Sequence, residues 1–173
     1  MKVDTVVCWD PWAHDEENPD HYQIARGTEA ACWMAGRAHD YPEHFAAGLE
    51  PHTVQEKYYY ARRPEITRIV DVSGVVDQMI AANRANRAKG PAGTHGSQLR
   101  GQLAKKGKKL ALLGDDDETA DRNYIKQFVM SRSRELGRKH GFEFAEAFHY
   151  IGGRVQGRTT VEEYIERNAV ESK

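Results

Sequence analysis

The chain has 173 residues, with 25 basic and 26 acidic side chains, a formal charge of -1, and 39% hydrophobic residues. That length suits one domain, 1–173, able to bury a core, and the balanced charge excludes the broad basic surface that nucleic acids or anionic membranes require. No apolar run approaches the roughly 18 residues of a membrane span, and Met1-Lys2-Val3-Asp4 lacks the features of a secretory signal, so a cytoplasmic protein is expected.

The β-branched run Val3 to Trp9 predicts a strand ended by Asp10-Pro11. A helix is expected from Asp20 to about Gly36. Its inward face would carry Ile24, Thr28, Ala31, Cys32 and Ala35, with Asp20 and Gln23 as a capping box. Cys8 and Cys32 form no CxxC pair and read as reduced, buried thiols. Lys57 to Ala61 and Thr67 to Val72 predict two strands separated by Arg63-Pro64, after which Ser73 caps a helix carrying Val76, Met79, Ile80 and Asn83. Tyr58, Tyr59 and Tyr60 cannot all face inward on a strand, which hints at association.

Residues 89–118 read as an irregular insertion, with a short helix near Leu99 to Lys105. Its lysines at 105, 106, 108 and 109 suit a solvated loop better than a nucleic-acid contact. The acids at 115 to 118 suit the start of a helix running from Thr119 to His140 and ending at Gly141. Phe142 to Phe148 alternates as a last strand, and Thr160-x-x-Glu163 is a capping box opening a C-terminal helix. Strand-helix alternation predicts an α/β fold with a mainly parallel sheet, its ligands beyond the carboxyl ends of the strands.

The loop after the first strand packs Asp10, His14, Asp15, Glu16, Glu17, Asp20 and His21 together. Imidazole and carboxylate are the ligands of a catalytic zinc, which keeps one position for a water that the metal acidifies. Acids also gather at helix N-termini to meet the helix dipole, so composition alone leaves both readings open.

The segment VVCWDPWAHDEENPDHYQIARGTEAACWMAGR resembles the second signature region of the PIG-L/LmbE-like N-deacetylases. PHTVQEKYYY followed by TRIVDVSGVVDQMIAANRANRAK resembles the strands and helix that come next in that family, and RELGRKHGFEFAEAFHYIG its closing segment. The resemblance runs from Val3 to about Gly152 and is most specific at Asn18-Pro19-Asp20-His21 and Glu146-Ala147-Phe148-His149. It implies a Rossmann-like three-layer sandwich and zinc-assisted removal of an N-acetyl group from a small amino sugar or related amide. By position His21 is a zinc ligand and Asp20 the acid beside it. Asn18 stands where many members carry a histidine; its amide can donate to an oxyanion but cannot deliver a proton.

The family's first signature, Ala-His-Pro-Asp-Asp-Glu, is not found. The chain therefore reads as lacking the N-terminal strands and two of the three Zn2+ ligands. Ala13 to Glu17 offers a local substitute at His14, Glu17 and His21, with Asp15 beside them; the other reading makes these residues loop acids. His149, after the last strand, either points into the same cleft or is held by a structural hydrogen bond. Trp12, with Trp9, is a candidate wall for a sugar ring. Missing strands would expose a sheet edge that a second copy or another chain covers, so the rival to a deacetylase is a non-catalytic binding subunit.

Overall fold

The computed structural model describes residues 2–60, 66–86, 92–152 and 160–170. The Arg63-Pro64 break and residues 89–91 of the expected insertion lie outside them. The chain divides into two compact units, Met1–Pro64 with His149–Lys173, and Glu65–Phe148.

In the first unit, strand β1 (Thr5–Trp9), helix α1 (Pro19–Ala35) and strand β2 (Glu56–Tyr60) form a βαβ crossover. The strands are parallel, with Cys8 opposite Tyr59 and Val7 opposite Tyr58. Between α1 and β2 lies a short helix α2 (Pro42–Ala46). The helix starts one residue earlier than the sequence suggests because Pro19 occupies its first position, where its fixed φ suits the helix and its missing N–H costs nothing. Asn18, not Asp20, is therefore the cap.

The buried face of α1 is also rotated from the expected one. Ala25 and Cys32 point inward, and the Cys8 thiol lies 3.6 Å from the Thr28 hydroxyl, whereas Ile24 is exposed. Among the three tyrosines, Tyr59 is fully buried and Tyr60 faces solvent, as strand alternation requires. Helix α7 (Val161–Asn168) begins with the expected Thr160–Glu163 capping box.

In the second unit, strand β3 (Arg68–Asp71) leads through a 3-10 turn at Ser73–Val75 into α3 (Val76–Ala85). Ser73 does not cap that helix. Its hydroxyl donates to Asp71 Oδ1 at 2.6 Å and accepts the Phe144 N–H at 3.0 Å, tying the turn to the chain that enters the last strand. Helices α4 (His95–Lys105) and α5 (Asp117–Tyr124) follow, then a π-helical turn at Ile125–Val129, α6 (Ser131–His140) and strand β4 (Ala145–Gly152). The short helix expected near Leu99 to Lys105 is α4, which begins four residues earlier. Asp116 caps α5, accepting the Thr119 N–H at 2.8 Å, and Gly141 ends α6 with φ of +81°.

The four strands form one sheet in the order β1-β2-β4-β3. β3 and β4 are antiparallel, with Ile69 opposite Ala147 and Asp71 opposite Ala145. The sheet is therefore mixed, which corrects the mainly parallel expectation. The helical excursion between β3 and β4 leaves and returns at the same end, where Val72 N–H donates to Phe144 O at 3.1 Å. The returning strand must then run backwards.

The core of the second unit joins Val72, Val76, Ile80, Ile125, Met130 and Phe144. Burying a side chain as large as Phe144 contributes about 1.5–3 kcal/mol. Gly137 lets α6 lie against this strand entry, since a Cβ there would sit 2.8 Å from the Phe144 backbone nitrogen.

Glu146 is half buried on β4, and burial raises its pKa from the ordinary 4.5. A carboxyl whose folded pKa is raised stabilises the fold at low pH, and that contribution is lost as pH rises through the folded value. Glu146→Gln is accordingly expected to raise the melting temperature at pH 7 and to leave it unchanged well below pH 4.5, by thermal scans across pH. Equal melting temperatures at both pH values would refute this.

Candidate functional site

The site is built where β1 ends. Asp10 is buried, its Oδ1 accepts the Trp12 N–H at 2.8 Å, and its Oδ2 lies 3.2 Å from His149 Nδ1. This folds the loop back over β4 and holds His149 by a carboxylate.

Farther along, Glu16 Oε1 accepts the Asn18 N–H at 3.1 Å. Asn18 Oδ1 accepts the Asp20 N–H at 3.0 Å, which satisfies one of the free donors at the start of α1. With its oxygen so engaged, the Asn18 amide presents its nitrogen to His21 Nε2 at 3.3 Å. Nε2 is then the acceptor, and the ring proton sits on Nδ1. Nδ1 lies 3.1 Å from Glu16 Oε1 but is too poorly aligned to count as hydrogen-bonded. The pair is electrostatic, and the buried nitrogen has a bond still to gain. Trp9 stacks on the imidazole at 4.0 Å and 15°, so the ring is fixed by one contact on each edge and one on its face.

A carboxylate near Nδ1 is the arrangement that orients metal-binding histidines, but Nε2 here accepts from Asn18, so a metal on Nε2 requires that amide to turn away. His149, with Nδ1 3.2 Å from Asp10 Oδ2, has the same arrangement. Among the described residues no group of three His, Cys, Asp or Glu side chains converges as a metal site. The local alternative is not assembled: His14, Asp15 and Glu17 are exposed along the loop, and Asp20 is exposed on the first turn of α1. The residues present therefore do not by themselves make a three-ligand zinc site.

Trp12 is 49% exposed, with its ring edge-on to Tyr59 at 5.7 Å and tilted against His149 at 5.6 Å. It lines an open cleft of about 870 Å3 together with His14, Glu16, Tyr22, Arg26 and Glu29. Lys57 Nζ reaches both Glu29 oxygens at 3.0 and 3.1 Å, and the Tyr59 hydroxyl donates to the same carboxylate. Burial, reinforced by Glu29, pushes the Tyr59 phenol far above its ordinary pKa and keeps it a neutral donor. Sequence reasoning placed Asp10 and Glu16 in the acidic cluster without assigning them roles, and it missed Glu29. The one available signal for Glu29 was its position two turns beyond His21 on a helix that follows a strand.

Asn18→Ala removes the α1 cap and is expected to cost about 1 kcal/mol, read as a lower urea midpoint. Asn18→Asp, which keeps an acceptor, should recover most of that stability; equal loss in both variants would show that the cap does not matter.

No protein-family model matches the chain. It is 33% identical over 88 residues to a diacetylchitobiose deacetylase of Thermococcus kodakarensis, a match covering 50% of this chain and 32% of that protein. The chain is thus homologous to a LmbE/PIG-L-type deacetylase at modest identity. Its fold matches that of the N,N'-diacetylchitobiose deacetylase from Pyrococcus horikoshii solved with its inhibitor MPG, at a TM-score of 0.58 and 18% identity over 90% of this chain. It spans about half of that structure's length, 49%. Among the described residues no helix is long and apolar enough to cross a membrane.

Proposed function

We propose that the β1–α1 loop is part of an N-deacetylase site of the LmbE/PIG-L type, acting on a small N-acetylated amino sugar or related amide. The observation that carries this reading is His21, locked between Glu16, Asn18 and Trp9 with Nε2 as its basic atom. Homology to a diacetylchitobiose deacetylase supports it. Under this reading the domain belongs to a Rossmann-like sandwich and His21 is the residue that would hold Zn2+, whose chemistry is to acidify a bound water.

The chain's own residues have narrower tasks. Asn18, donating to Nε2, keeps the His21 proton on Nδ1, and Glu16 lies 3.1 Å from that nitrogen. Asn18 offers an amide donor suited to an oxyanion and no proton for a departing amine. Asp20, on the exposed first turn, is the nearest carboxylate in sequence able to take part in proton transfer.

A second reading follows from the absence of a converged three-ligand group among the described residues. In it the chain is a non-catalytic family member that binds a ligand or a partner chain, whether a second copy or another protein, along the β1 edge. The two are separated by measuring zinc content and acetate release from N,N'-diacetylchitobiose with the purified chain. Bound zinc with acetate release supports the enzyme, and a folded chain showing neither favours the binding subunit.

A further inference from the structure

The second unit holds a cavity of about 380 Å3, lined by Arg84, Ala85, Gly93, Thr94 and Asp121. Its volume lies within the range of small-molecule sites. Ala85 is the last residue of α3, so the cavity sits at the carbonyl end of that helix, where the peptide dipoles leave partial negative charge. The 3-10 turn Ala92–Thr94 closes tightly against the same end, since a Cβ on Gly93 would lie 3.0 Å from Arg84 Cα and Asn83 O. From α5 comes Asp121, which is 94% buried by its 6% exposure.

The polar groups of this cavity are only half used. Asp121 Oδ1 accepts the Ser97 N–H at 2.7 Å, and its second oxygen has no partner among the described residues. Arg84 Nη1 donates to Glu118 Oε1 at 3.0 Å, while Nε and Nη2 have no acceptor among the described residues. The Thr94 hydroxyl oxygen accepts from Gln98 Nε2 at 3.1 Å, which leaves its proton to donate. Neighbouring charges are turned elsewhere. Arg122 pairs with Asp77 at 2.7 Å, Arg100 pairs with Asp117 at 2.6 Å, and His95 sets its ring edge-on to Tyr124.

A buried carboxylate and a guanidinium therefore line one cavity without pairing with each other. A ligand of one charge satisfies one of them and is repelled by the other. A metal ion would find a single carboxylate, since no group of three ligating side chains forms among the described residues. A ligand carrying both charges a short distance apart satisfies both groups at once, and an α-amino acid holds its ammonium and carboxylate on one carbon. We propose that this cavity binds a free α-amino acid as its zwitterion, with the ammonium on Asp121 and the carbonyl end of α3, and the carboxylate on Arg84 and the Thr94 hydroxyl. The site draws on no residue of the β1–α1 loop and does not depend on the deacetylase reading.

The test is an NMR titration of the full 173-residue chain, following the Ser97 amide that donates to Asp121. The probes are L-alanine, propionate and ethylamine, the last two carrying one each of the two charges. L-Alanine should shift the signal saturably, and each single-charge analogue should bind about tenfold more weakly or worse. Asp121→Asn, which keeps an oxygen for the Ser97 N–H, and Arg84→Met should each weaken L-alanine binding about tenfold or more. Arg122→Met, which breaks an exposed ion pair of α5 outside the cavity, should bind as the parent chain does. If circular dichroism shows that Asp121→Asn unfolds, Arg84→Met carries the test, because the bond it loses, to Glu118, is exposed. No saturable shift with L-alanine, equal binding of either single-charge analogue, or unchanged binding in Arg84→Met would overturn the proposal.

Discussion

Gly96→Ala is expected to destabilise the second unit by about 3 kcal/mol or more, the upper end of what overpacking costs. A Cβ at this position would lie 2.0 Å from the Ala120 carbonyl oxygen and 2.7 Å from the Asp121 nitrogen. These are backbone atoms of α5 that no rotamer change can move away. The two helices would have to separate. Separation would also break the bond in which the buried Asp121 carboxylate accepts the Ser97 N–H at 2.7 Å, a cap supplied to α4 by its neighbour rather than by its own chain.

Urea unfolding gives the measurement. Gly101→Ala provides the control, because that glycine lies in the same helix with nothing within 4 Å of an added Cβ. It should gain about 0.5–1 kcal/mol from helix propensity. An unchanged midpoint in Gly96→Ala would mean that α4 and α5 do not approach this closely.

The other large effect is catalytic. If the loop works as proposed, His21→Ala should lower acetate release roughly a hundredfold or more. Glu16→Gln, which keeps the shape but weakens the grip on Nδ1, should lower it about 10- to 100-fold. The two should differ in kind, with bound zinc lost in the first and weakened in the second. Both variants must show the parent's circular dichroism. A His21→Ala chain that retains its rate would remove His21 from the chemistry, and a Glu16→Gln chain as poor as His21→Ala would make Glu16 a direct participant.

Legibility differed between the elements for identifiable reasons. The strands β1 and β2, the Thr160 capping box and the Gly141 stop were readable because each depends on neighbours in sequence. The α1 cap was displaced from Asp20 to Asn18 by Pro19, a local signal that outweighs the more familiar capping-box pattern. The inward face of α1 was misjudged because Ile24 suggests burial by its chemistry, while the surface beneath is fixed by Cys8 and Tyr59 from two strands. The antiparallel β4 depended on where a long helical excursion returns, which no local pattern encodes.

At the site, sequence and resemblance singled out His21 and Trp12, and the clamp around His21 needed coordinates. Glu16, Asp10 and Glu29 act through partners that are 5, 139 and 28 or 30 positions away, and carboxylates in an acidic loop look alike until one is seen to be buried.

The π-helical turn between α5 and α6 sets a rule for how this chain can change length. Met130 N–H donates to Ile125 O at 3.0 Å, so Ile125 and Met130, five residues apart, both reach the core. Lys126, Gln127, Phe128 and Val129 between them are exposed. Each of the four faces outward, so one of them can be deleted without taking either anchor off the core face. Removing one would leave Ile125 and Met130 four apart, a spacing that an ordinary helix also puts on one face, so Gly137 would keep its place against the Phe144 backbone. Chains descended from this one should therefore carry four residues across 126–129 with the π turn, or three without it.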